Sequence, residues 1–262
     1  MNTAGFRLDQ YIMHHIMDSN VWHLPFLPPV HLPGFLTIQR MILILGAVCV
    51  VIVFCGLYRK GDRVPKGLTN LLEVFILHIR NDLSIEFLGQ EDGLRLAPLF
   101  LTFFFFILFM NMLGLIPIFP TTATANVSVT GALAFVTFVL MTIGGMAKHG
   151  FLQYMKIFVL PGVPAPLLIL LTPLEILSVF IRAFALMILL FANMLAGHMM
   201  ILALIGIVTV IGVGWFKLFV AVPAVVIATA ISGLELFVAF LQAYIFILLT
   251  AVFVGQMYHP EH

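Results

Sequence analysis

Three charged residues stand apart in this 262-residue chain: Glu175, Arg182 and Glu235, each set in a long apolar run. Asn193, His198 and Gln242 occupy the same runs. Carboxylate and imidazole groups exchange protons at accessible pH, while a guanidinium keeps its charge. Acid, imidazole, amide and guanidinium together are the parts of a proton relay. Helical spacing sorts them. Glu175 and Arg182 are seven residues apart, within about 20° of one face at 100° per residue. Asn193 follows Glu175 by eighteen residues and returns to that face, as does Leu189. His198 points about 140° away from Asn193. Glu235 and Gln242, again seven apart, share a face of the last run. Two stripes of this kind predict a buried polar seam. A structural ion-pair network of one Arg and two Glu is the alternative, and His198 could simply cap a neighbouring carbonyl.

The elements that carry these residues follow from composition. Hydrophobic residues make up 63% of the chain and charged residues 9%, with a mean hydropathy of +1.19. A soluble domain carries nearer 25% charge, so the chain reads as an all-α polytopic membrane protein. A charge at bilayer depth costs at least ~2.5–3.5 kcal/mol and needs pairing or internal water. The formal net charge of +1 excludes a nucleic-acid or polybasic surface. Cys49 and Cys55, six apart in one apolar run, fit neither a disulfide nor a metal pair. His14, His15, His23 and His31 lack tight ligand spacing, so neither metal nor cofactor is expected.

Five crossings are predicted: Met41–Leu57, Ala97–Phe119, Val127–Met146, Leu167–Val213 and Phe219–Val254. The last two exceed the ~20 residues of one perpendicular span, implying long, tilted helices or a re-entrant portion. Between the first two crossings, residues 61–95 repeat Leu68, Leu71, Leu72, Phe75 and Ile79 at helical spacing beside Glu73, Arg80, Asp82 and Glu86. That pattern predicts an interfacial amphipathic helix. Residues 1–40 show no early apolar signal region and are assigned to an extracytoplasmic segment, with 41–262 as a single membrane domain. Arg59, Lys60, Arg63, Lys66, Arg80, Arg95, Lys148 and Lys156 oppose Arg7, Arg40 and Lys217. This bias places the N-terminus outside and the C-terminus in the cytoplasm.

Several motifs resemble one family. The stretch 190–198, Leu-Phe-Ala-Asn-Met-Leu-Ala-Gly-His, is similar to the signature of subunit a of the F-type ATP synthase. Phe109–Pro117, Leu174-Glu175, and Leu241–Phe246 with Leu248-Leu249-Thr250 resemble further family motifs. The resemblance implies a non-catalytic stator in a bacterial inner membrane, working with the c-ring, the b-subunit stalk and the F1 sector. Two half-channels would pass protons to and from ring carboxylates. It implies that His198 and Glu235 form the inlet pair, that Asn193 and Gln242 flank the essential arginine, and that Glu175 lies toward the cytoplasmic outlet. That arginine's position holds Leu189, which cannot ion-pair. Arg182 shares its face, ~10.5 Å along the helix. Relocation of the role to Arg182, a divergent weakly coupled subunit, and a plain substitution are all open from sequence. No Walker-type glycine loop occurs, so ATP chemistry falls to partners. A proton-coupled secondary transporter is the competing function, although no inverted repeat is visible.

Overall fold

Apolar runs this long leave the backbone only itself to hydrogen-bond with, and helices result. In the computed structural model, residues 21–22, 30–34, 36–57, 67–116, 119, 121–159, 162–211 and 216–260 are described. Helix α1 (Ile38–Ile52) ends in a π-helical turn, Val53–Leu57. Helix α2 (Leu68–His78) passes through a second such turn, Ile79–Ile85, into α3 (Glu86–Leu115). A 3₁₀ turn at Ala123–Ala125 precedes α4 (Val127–Val139), a π-helical turn (Leu140–Gly144), α5 (Gly145–His149) and α6 (Phe151–Ile157). Helices α7 (Ala165–Ile211) and α8 (Phe216–Tyr258) complete the chain. Two short antiparallel strands, β1 (Val21–Trp22) and β2 (Val30–His31), are announced by no periodicity.

Among the described residues, five helical runs are long and apolar enough to cross a membrane: Ile38–Cys55, Thr69–Leu115, Val127–His149, Pro166–Leu204 and Phe219–Tyr258. The all-α polytopic class and the number of crossings match the expectation. The amphipathic stretch is helical from Leu68 but continues into the second crossing. Regular geometry breaks at Gly89, whose φ of +77° favours glycine. Of the two options for the long runs, each is one continuous helix, of 47 and 43 residues. That is about twice what a perpendicular crossing needs. Arg7, Arg59, Lys60, Arg63, Lys66, His14, His15 and His23 lie outside the described residues, as does most of segment 1–40.

The chain forms two compact units. The first combines the described parts of Met1–Cys49, Ile107–Asn126 and Leu190–Gln242. Its core brings Ala125, Met194 and Ala239 together under Leu115. Thr124 Oγ1 donates to Asn111 Oδ1 at 2.5 Å, which ties the loop after α3 back onto that helix. Asn126 Nδ2 donates to Gln39 Oε1, anchoring α1.

The second unit comprises the described parts of Val50–Phe106, Val127–Leu189 and Ala243–His262. Aromatic edges pack its helices: Phe103 on Phe246 at 5.8 Å and Phe54 on Phe105 at 5.3 Å between ring centroids. Thr137 and Thr250 hydroxyls meet at 3.3 Å within the apolar core. Lys148 bridges to Asp92, and His259 Nε2 donates to the Leu88 carbonyl at 2.8 Å. Gly144 and Gly145 admit the rings of Tyr258 and Tyr154, where any side chain would collide.

Candidate functional site

In the first unit, α7 and α8 run antiparallel with small residues at their closest approach. Gly197 faces Glu235, Met194 packs with Ala239, and Asn193 and Leu190 face Gln242. A methyl group at Gly197 would fall on the Glu235 carboxylate, so glycine is what lets the acid lie against the opposing backbone. The residue costs about 1 kcal/mol of helix propensity relative to Ala. Close approach offsets that cost.

Glu235 is 5% exposed. Its Oε1 lies 3.7 Å from His198 Nδ1, beyond hydrogen-bond length. Among the described residues, neither carboxylate oxygen nor His198 Nδ1 has a hydrogen-bond partner. His198 Nε2 lies 3.3 Å from the Gly114 carbonyl. A carbonyl only accepts, so Nε2 carries the hydrogen and Nδ1 presents its lone pair to Glu235 in the neutral ring. The pair is thereby arranged to hold one proton between two groups, with the tautomer set by a backbone atom. Gly114 is itself confined, since a side chain there would strike Thr122.

One polar partnership completes this face. Asn193 Nδ2 donates to Gln242 Oε1 at 3.1 Å, and Gln242 Nε2 donates to the Leu190 carbonyl at 2.7 Å. The buried Gln242 thus satisfies both ends of its amide on one turn of α7. The predicted stripe Glu235–Gln242 is therefore real, and both members face α7.

In the second unit, α7 buries Val179 and Leu186, seven residues apart. Arg182 and Leu189 each follow these by three positions, so they share a flank; Leu189 is 36% exposed. Arg182 Nη1 donates to Gln256 Oε1 at 2.7 Å, and its guanidinium carbon lies 5.6 Å from the Phe253 ring centre. Glu175 Oε2 receives Ser178 Oγ at 3.0 Å, on its own helix. Glu86, Gly89, Glu175, Arg182, Gln256 and His259 border a cavity of about 690 Å³. Among the described residues of the second unit, no ion pair joins Arg182 to Glu175.

Gln256, Gly197 and Gly114 border the candidate site, and sequence reasoning did not single them out. Gly197 carried a signal, as an interior helix glycine directly before His198. Gln256 carried a weaker one, as an amide near the polar end of α8. A backbone carbonyl such as that of Gly114 carries none.

Comparison with known sequences adds an independent line. A family model described as ATP synthase A chain matches residues 40–255. An ATP synthase subunit a of Anaeromyxobacter dehalogenans is 44% identical over 217 residues, covering 80% of this chain and 55% of that protein. The Myxococcus xanthus subunit a is 44% identical over 209 residues, 78% of this chain and 67% of the relative. That of Rhodococcus erythropolis is 36% identical over 258 residues, 94% of each. Against several of the curated relatives it matches, the chain spans about half their length, 50 to 55%.

Proposed function

Since the chain belongs to the ATP synthase A chain family, we propose that it is the non-catalytic ion-conducting stator of the membrane Fo sector, passing protons to and from carboxylates of a c-ring. In this reading the b-subunit stalk and the F1 sector complete the complex, and ATP chemistry belongs to F1. The membrane is a bacterial inner membrane, with the N-terminus outside. Lys148 and Lys156, which follow the third crossing, support a cytoplasmic C-terminus.

The observation that carries the reading is the pair His198–Glu235. A buried carboxylate aimed at an imidazole lone pair, without a hydrogen bond on either oxygen among the described residues, is costly unless it works. Protons arriving at this pair are passed to the ring, and Asn193 and Gln242 line the way. Glu175, bordering the cavity of the second unit, serves the outlet side.

The guanidinium role falls to Arg182. Leu189 can neither attract a carboxylate nor block a direct proton leak. Arg182 lies on its flank of α7, beside the cavity, and is the one arginine within α7 and α8. A fixed positive charge there keeps a passing ring carboxylate ionised.

The test uses membrane vesicles carrying the whole complex, with Glu235→Ala and His198→Ala variants. Both variants should retain the c-ring on purification and lose most passive proton permeability after F1 removal. Unchanged permeability in both, with the ring retained, would overturn the reading.

A further inference from the structure

The contacts around Arg182 carry one inference beyond its assignment. A guanidinium in an apolar helix is ordinarily met by a carboxylate. Here the partners are neutral. Gln256 Oε1 accepts from Nη1 at 2.7 Å, and the Phe253 ring lies 5.6 Å from the guanidinium carbon. Phe253 and Gln256 are three residues apart on α8, so one face of that helix offers both. Among the described residues, no carboxylate oxygen lies within 4.0 Å of the Arg182 nitrogens. Glu175 is seven residues away along α7, ~10.5 Å by helical rise. Glu86, Glu175 and His259 border the same cavity.

We infer that Gln256 and Phe253 are positioning residues that hold Arg182 toward the cavity without neutralising it, so that its charge stays available to a visiting carboxylate. An amide oxygen fixes direction through one hydrogen bond, and an aromatic face adds attraction without a counter-charge. A carboxylate at position 256 would fix the side chain equally well. It would also answer its charge permanently. The choice of Gln over Glu is then a functional one. This inference rests on Arg182 carrying the guanidinium role proposed above.

The experiment compares Gln256→Glu, Gln256→Leu and Arg182→Gln in vesicles containing the complete complex, reading ATP-driven proton pumping across pH. Gln256→Glu should pump about tenfold more slowly than the parent where the new carboxylate is ionised, and recover as acid neutralises it. Recovery in the same vesicles shows that the complex is folded and assembled. Gln256→Leu should lose about two- to fivefold with no comparable acid recovery, since only direction is lost. A Gln256→Glu profile that tracks the parent at every pH, while Arg182→Gln is inactive, overturns the inference and leaves the Arg182 assignment standing. Pumping unchanged in Arg182→Gln removes both.

Discussion

Gly197 presses its α-carbon against the carboxylate of Glu235, so the buried acid lies where any side chain at position 197 would be. The Glu235 side chain meets the α7 backbone there, one residue before His198. Gly197→Ala should therefore displace Glu235 or separate the helices, costing about 1–3 kcal/mol as overpacking. Thermal unfolding of the purified complex should shift downward, and proton permeability should fall with it. An Ala variant with parental permeability would contradict the close contact.

His198 is oriented from behind by the Gly114 carbonyl at 3.3 Å. That orientation depends on the loop after α3, pinned by the Thr124–Asn111 hydrogen bond. Asn111→Leu leaves the buried Thr124 hydroxyl without this acceptor, a loss of about 1–3 kcal/mol. It should also weaken proton transfer through His198 without touching the ring contact. Parallel measurements of melting temperature and proton permeability check both effects.

Gln242 joins Asn193 and the Leu190 carbonyl at 3.1 and 2.7 Å. In a double-mutant cycle of Gln242→Leu and Asn193→Ala, the coupling energy should be about 0.6 kcal/mol, the average of interhelical hydrogen bonds in membranes. A coupling indistinguishable from zero would mean the amides do not act together.

Lys148 and Asp92 are partly exposed, with 29% and 21% of their side chains accessible, and His259 stands beside them. Such a bridge contributes little, about 0–1 kcal/mol, and is screened by salt. Lys148→Met should therefore lower stability only slightly, with the difference shrinking as salt rises. A large, salt-insensitive loss would assign the cluster a different role.

Much of this was legible along single helices. Glu235 and Gln242 share a face because seven residues make almost two turns, and that arithmetic needs no partner. The flank common to Arg182 and Leu189 follows the same way. Pairing between helices was less accessible. Apolar periodicity places Gln242 on a face but does not say which turn of α7 it meets. Gln256 lies fourteen residues beyond Gln242, and only the packing of the second unit brings it to Arg182. The amphipathic stretch runs through a π-helical turn at Ile79–Ile85 and meets the second crossing at a break at Gly89, and apolar periodicity marks neither.

The central claim is that Arg182, and not position 189, supplies the guanidinium. Proton-driven ATP synthesis in vesicles carrying the parent chain, Arg182→Ala and Leu189→Arg measures it directly. The account predicts robust synthesis by the parent, at least equal to that of Leu189→Arg, and its loss in Arg182→Ala. Synthesis that survives Arg182→Ala, or that is absent from the parent and created by Leu189→Arg, would contradict it.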